Sequence, residues 1–206
     1  MRAFPVLLLL FTTAAARATE GTVGSSPRRA AVATSLGLVV ELRSDFGFER
    51  LTDVVYTTTD ERNRLHLNDG LAVGIGWSFL PLVGGRLATR VTGGVKLDLV
   101  RASNGSAFFV AFPLDVMETA YIGPFRLGAG ASVLLRPRLR ATGFLEEAGF
   151  RFATAPGVVV DAEWIVARPS RTGIGVRGSC YRFSWNGVTR AAPAVGLVLR
   201  TDLPLR

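Results

Sequence analysis

From about residue 30 onward, large apolar side chains recur at every second position, with small or charged residues between them. Leu71-Ala72-Val73-Gly74-Ile75-Gly76-Trp77-Ser78-Phe79 shows this most plainly. Its odd positions are large and apolar, and its even positions are Ala, Gly, Gly and Ser. A period of two marks a strand with two unlike faces. The same alternation sets Leu36, Leu38, Val40 and Leu42 against Glu41 and Arg43, and Leu87, Thr89, Val91, Gly93, Val95, Leu97 and Leu99 against Arg90, Lys96 and Asp98. It recurs with Phe108, Phe112, Leu114 and Val116 against Phe109, Pro113, Asp115 and Met117. In Phe125–Arg136 the alternate face carries Arg126, Gly128, Gly130, Ser132 and Arg136, and around Trp164 it carries Asp161 and Glu163. Ile174 and Val176 stand opposite Arg177, Ser179 and Tyr181, and Val195, Leu197 and Leu199 stand opposite Gly196 and Arg200. No stretch shows a helical period.

The pattern predicts eight strands, near 34–46, 69–80, 86–100, 106–121, 125–136, 157–167, 171–185 and 193–201. Their connections alternate in length. Pro81-Leu82-Val83-Gly84-Gly85, Gly123-Pro124 and Arg168-Pro169-Ser170 are short and Pro-marked, as tight turns are. The other set is more variable. It comprises a long polar loop at 47–68, a tight turn at Ala102-Ser103-Asn104-Gly105 with an Asn-Gly hairpin signal, a second long loop at 137–156, and Asn186-Gly187. Long loops at one end and short turns at the other are the asymmetry of a transmembrane barrel. Pro113 in mid-strand predicts a bulge.

Composition narrows the choice. Hydrophobic residues are 49% and charged residues 19% of the 206, too apolar for a disordered chain. Residues 1–18 read as a signal peptide: Arg2, an apolar run from Val6 to Phe11, then Ala16-Arg17-Ala18. That run is far shorter than the roughly 20 residues of a spanning helix. Domain organisation follows as signal peptide 1–18, a short segment 19–33, and a barrel over 34–206. Export leaves the single Cys180 free or inert, a small filler in a strand. The sequence pI near 11.1 does not indicate nucleic acid, because the basic residues are scattered arginines and Lys96 is the only lysine.

A soluble barrel alternates as well, and three features favour a membrane one. The polar face is rich in Gly, Ala and Ser, which water does not require but a narrow eight-stranded interior does. Its charges come in both signs: Glu41, Arg43, Arg90, Lys96, Asp98, Asp115, Arg126, Arg136, Asp161, Glu163, Arg177 and Arg200. Enclosed together, they can pair and offset their desolvation. Aromatics gather at strand ends, with Trp77, Phe79, Tyr121, Phe125, Trp164 and Trp185 as candidates for an interfacial girdle.

On these residues the chain resembles the small eight-stranded outer-membrane barrels of Gram-negative bacteria, the membrane domain of outer membrane protein A and its OmpX- and OmpW-like relatives. The resemblance covers about residues 30–206 and implies an all-β, antiparallel, up-and-down transmembrane barrel with periplasmic termini. It implies outer-membrane lipid, lipopolysaccharide and the outer-membrane assembly machinery as partners. Such barrels usually end in an aromatic residue, whereas this chain ends Asp202-Leu203-Pro204-Leu205-Arg206. Either the last strand closes earlier, near Leu199, or the assembly signal is atypical.

Candidate chemistry is sparse. His66, the only imidazole, falls at the lumen mouth beside Asn68 and Asp69, and reads better as a solvated loop residue than as a base. Asp60-Glu61 with Asp69 match no calcium-loop spacing, and Glu146-Glu147 read as a loop tip. Asp161 and Glu163 face one side of a strand, where acid–base chemistry competes with pairing to Arg126, Arg136 and Arg177. Asn104-Gly105-Ser106 matches a glycosylation sequon but also a turn. Gly74-x-Gly76 and Gly128-x-Gly130 lie inside strands, without the context of a nucleotide loop. We therefore expect no catalytic or metal site, no cofactor and no nucleic-acid partner. The expected role is structural, a narrow pore, or a surface platform that meets an extracellular ligand through 47–68 and 137–156. Seven basic against five acidic lumen residues predict a mild anion preference for any pore. A lipid-modifying barrel enzyme and a lipocalin-like soluble barrel are the alternatives.

Overall fold

The computed structural model describes residues 35–55, 62–80, 86–102, 105–143, 150–167 and 170–205. The predicted signal peptide, segment 19–33, Asp60-Glu61, the turn Pro81–Gly85, Ser103-Asn104, Glu146-Glu147 and Arg168-Pro169 lie outside the described residues. The elements in chain order are β1 (Ser35–Gly47), β2 (Arg50–Val55), β3 (Arg62–His66), β4 (Gly70–Leu80), β5 (Leu87–Ala102), β6 (Gly105–Ile122), β7 (Phe125–Gly143), β8 (Phe150–Arg151), β9 (Ala155–Ala167), β10 (Thr172–Trp185) and β11 (Val188–Pro204).

Eight of these make the wall. Going round, β1, β4, β5, β6, β7, β9, β10 and β11 each pair antiparallel with the next, and β11 returns to β1. The sheet therefore closes on itself and the wall has no unpaired edge, which an apolar surrounding requires. The topology is up-and-down throughout. The β4–β5, β6–β7 and β9–β10 connections and the Ser35 and Pro204 ends of the wall share one end, called here the terminal end. The β1–β4, β5–β6, β7–β9 and β10–β11 connections share the other, the loop end.

Local chemistry sets the turns. Trp185 pairs with Val188 across Asn186 (φ 46) and Gly187 (φ 77), the two left-handed positions of a type I′ hairpin. Ile122 pairs with Phe125 across Gly123 (φ 62) and Pro124, the Gly-X pattern of a type II′ hairpin.

The wall departs from the sequence expectation in four places. First, the 47–68 segment is not an irregular loop: β2 and β3 pair within it, from Arg50 opposite His66 to Val55 opposite Arg62. Second, β7 runs on to Gly143, seven residues into the expected second loop. The reason is a bulge. Phe112 pairs with Leu135 and Val110 with Arg138, so Arg136 and Pro137 together oppose Ala111. The alternation slips by one there, and a single period read along the chain ends at that point. Third, Pro113 does not carry this bulge. It pairs in register with Leu134, and the extra residue sits on the neighbouring strand. Fourth, β11 does not close near Leu199. It continues to Pro204, which pairs with Gly37.

The two faces have inverted polarity. Leu71, Ile75, Trp77, Leu197 and their like point out and are exposed, while twelve charged side chains point in and are buried. Small residues make that interior possible. A Cβ on Gly128 would lie 2.2 Å from an Asp161 carboxylate oxygen, and one on Gly74 would lie 2.9 Å from Glu41.

Candidate functional site

The lumen holds the concentrated chemistry. Arg200 lies at its centre, fully buried. Its guanidinium pairs with Glu41 at 3.0 Å, with Asp161 at 3.0 Å and with Glu163. Glu163 also accepts from Arg126, which reaches Asp202 at 2.7 Å. Asp161 pairs with Arg90 at 3.0 Å. Glu41 lies 3.4 Å from Arg43, whose other partner is Asp115 at 2.6 Å, and Asp115 takes Arg177 at 2.6 Å. Ser132 donates to the same Asp115 and lies 2.8 Å from the Tyr181 hydroxyl. These ten charges, drawn from seven strands, form one continuous network. Each carboxylate meets at least one cation, which is the arrangement that offsets desolvation.

Toward the loop end a separate knot forms. Lys96 donates to Asp45 Oδ2, to the Asn68 carbonyl and to Asn68 Oδ1, each at 2.7 Å. All three ammonium protons thus have an acceptor. Asn68, in the left-handed region at φ 70, donates in turn to Ser179 at 3.0 Å and to the Ala192 carbonyl at 3.1 Å. The Asn68 turn is thereby held inside the barrel mouth, and the neighbouring Leu67 is buried with it.

Above and beside this knot the lumen turns apolar. Phe109, Phe152, Tyr181 and Phe183 pack with Leu67, Leu134 and Leu139, and Trp185 lies against them. The rings meet edge to face, Phe152 at 5.4 Å from both Phe183 and Trp185. Phe152 comes from the β8–β9 connection, so loop residues plug the mouth. An open water-filled passage would leave the side chains along it accessible. Arg126 and Arg200 have none of their surface accessible, and Arg177 has 1%.

Ten of the twelve predicted lumen residues lie buried within the barrel: Glu41, Arg43, Arg90, Lys96, Asp115, Arg126, Asp161, Glu163, Arg177 and Arg200. Asp98 has the inward register but is only half-buried, on the rim level of Asp69 and His66. Arg136 is a correction. The bulge turns it outward and it is exposed. Two further residues join the lumen, Asp45 and Asp202, both buried. Each continues a period already visible, 41-43-45 on β1 and 198-200-202 on β11. The buried charges are thus six basic and six acidic. The excess behind the expected anion preference disappears. Asn68 and the aromatic plug carry no such signal, because their place depends on how loops fold back.

Among the six candidate girdle aromatics, Trp77, Phe79, Phe125 and Trp164 point outward at the terminal end, with Phe125 paired to Trp164. Tyr121 and Trp185 are corrections. Tyr121 has the inward register, its hydroxyl donates to Asp202 at 3.0 Å, and Arg171 lies 5.4 Å over its ring. Trp185 belongs to the plug.

His66 lies 3.5 Å from Asp69 at the rim, both partly exposed. Cys180 is a free thiol, half-buried on the outward face. No group of three or more His, Cys, Asp or Glu able to hold a metal ion occurs among the described residues. Asp161 and Glu163 are each engaged by two arginines, an ion-pair arrangement rather than an acid–base pair with a free face.

No protein-family model matches the chain, and no curated protein matches it. Among solved structures it is similar to Neisserial surface protein A, with 9% identity and a TM-score of 0.46 over 81% of this chain and 96% of that one. It is also similar to Ail, the attachment invasion locus protein of Yersinia pestis, with 8% identity and a TM-score of 0.45 over 81% and 98%. A third is the outer membrane protein AlkL, with 12% identity and a TM-score of 0.38 over 89% and 98%. Identities this low speak to fold alone, and the closure of the present barrel rests on its own strand pairing.

Proposed function

We propose that the chain is an outer-membrane barrel that does not conduct and that presents its loop end as a rigid interaction surface at the cell exterior. The observation that carries this is the inverted polarity. Thirty-four large hydrophobic side chains are exposed among the described residues. Leaving one such side chain half in water costs roughly 1 kcal/mol. The sum, some tens of kcal/mol, is the free energy the folded wall gains on passing from water into an apolar solvent. An apolar solvent removes that cost, and the closed wall satisfies its backbone. A lipocalin-like reading would line a cavity with these residues and turn the charged face to water, the reverse of this arrangement.

The balanced and buried ion pairs favour a sealed lumen over a pore. The same network, with every carboxylate engaged, favours a structural role over catalysis. The loop end, with the β2–β3 hairpin and the aromatic plug, is the side built for contact. In this reading the termini are periplasmic.

Two measurements test the proposal together. The membrane fraction run in SDS without boiling should migrate differently from the boiled sample. The purified barrel in a planar bilayer should show no steady conductance. Recovery in the soluble fraction without detergent would refute the membrane reading, and a persistent ohmic current would refute the sealed lumen. Lipid A recovered from cells with and without the protein should be chemically identical. A modified species would make the barrel an enzyme.

A further inference from the structure

The outer wall changes character along β7. From the terminal end its outward residues are Phe125, Leu127, Ala129, Ala131, Val133 and Leu135. Directly beyond Leu135 come Arg136, Arg138 and Arg140, all exposed. The bulge causes this. Up to Leu134 the even positions face inward, and without the extra residue Arg136, Arg138 and Arg140 would enter the lumen. With it, Pro137 and Leu139 are buried and the three arginines form a row on the outer face. A bulge beside a site commonly serves to re-aim side chains.

Two neighbours extend the row. Arg151 on β8 stands directly opposite Arg138 and is exposed. Like charges at opposed positions destabilise a strand pair, and an anion bridging the two guanidinium groups relieves that repulsion. Arg182, exposed, lies beyond Cys180 on the outward face of β10. None of these five guanidinium groups forms an ion pair among the described residues. The carboxylate of Glu49 is turned to Arg190, at 3.8 Å.

We propose that this sector, β7, β8 and β10 at the loop end, binds the phosphate groups of a phosphorylated glycolipid in the surrounding leaflet. Guanidinium forks match phosphate oxygens two at a time. The height is right for a lipid: Leu135 meets acyl chains and Arg136 begins where they end. Acyl chains against the apolar wall and phosphates against the arginine row are one amphiphile's two halves. The inference rests on the membrane reading above.

The full chain, refolded into phosphatidylcholine nanodiscs doped with bisphosphorylated lipid A or with its dephosphorylated form, provides the test. Lipid retained by the barrel is read by native mass spectrometry. The wild type should retain the bisphosphorylated form with a preference of roughly tenfold or more. The triple variant R138Q/R140Q/R151Q should lose that preference. Inorganic phosphate at matched phosphate concentration should not displace the lipid. Equal retention of the two lipids by the unaltered protein overturns the proposal, whether or not the variant folds. So does wild-type preference in a triple variant that keeps its cold-SDS mobility, or displacement by inorganic phosphate. Absence of a heat-dependent shift in the wild type overturns instead the membrane reading beneath it.

Discussion

Replacing Lys96 with Met isolates one buried knot. The substitution keeps the length of the side chain and removes its charge. In the folded protein Lys96 is 1% exposed and gives its three protons to Asp45 and to two oxygens of Asn68, each at 2.7 Å. Removing it leaves the Asp45 carboxylate buried at 6% exposure with its cation gone. Breaking one member of such a pair costs roughly 3–5 kcal/mol. That corresponds to a loss of roughly two to three and a half powers of ten in the unfolding equilibrium. The damage should concentrate at the loop end, because Asn68 is what the ammonium holds in place. Urea titration of the refolded barrel measures the stability, and hydrogen exchange over residues 66–70 measures the release of the turn. The double variant K96M/D45N removes the stranded charge and should recover about half of the loss or more. Because Lys96 is the only lysine in the chain, its chemistry reports directly on closure. An amine acylating reagent should modify it roughly a hundredfold more slowly in the folded barrel than in urea, by peptide mass. Equal labelling in the two states, or a K96M midpoint within error of the wild type, would refute the reasoning.

Other perturbations probe the rest of the interior. Arg200→Met strips a shared cation from Glu41, Asp161 and Glu163. It should cost about 3–5 kcal/mol or prevent assembly, seen as loss of the cold-SDS band. Gly128→Val places a branched side chain where even a Cβ would lie 2.2 Å from Asp161. It should displace that carboxylate from Arg90 and destabilise by roughly 1–3 kcal/mol or more in the same urea titration. Arg136 sits at φ 48, a conformation that glycine adopts without cost. Arg136→Gly should fold at least as stably as the wild type, whereas the β-branched Arg136→Val should be about 1–2 kcal/mol worse.

The interior and exterior faces were legible from the period of two alone. Arg43, Arg90, Arg126 and Arg177 all lie where alternation puts them, and so do their apolar neighbours. Legibility failed at Arg136, where one extra backbone residue reversed the faces. That reversal depends on the pairing of β7 with β6, which a single strand's pattern does not contain. Tyr121 and Trp185 misled for a different reason. Alternation through Asp115 and Met117 already puts Tyr121 on the inward face, and alternation through Arg177 and Tyr181 does the same for Trp185, but a place near a strand end suggests a girdle. Once inside, the Tyr121 hydroxyl finds an acceptor in Asp202.

Much of this protein follows from its sequence without coordinates. Strict alternation, small residues among mixed charges, and short turns at alternate connections favour a barrel that is apolar outside and ionic inside. Those are local properties, set by side-chain direction along a strand and by turn chemistry. What the tertiary structure decided is everything that depends on register and on loops returning to the lumen. It set the partners of Arg200, the even balance of six cations and six anions, the Lys96–Asn68 knot, the aromatic plug and the outward arginine row. Each of these joins residues on different strands, and the distance between strands is not written in the order of residues along any one of them.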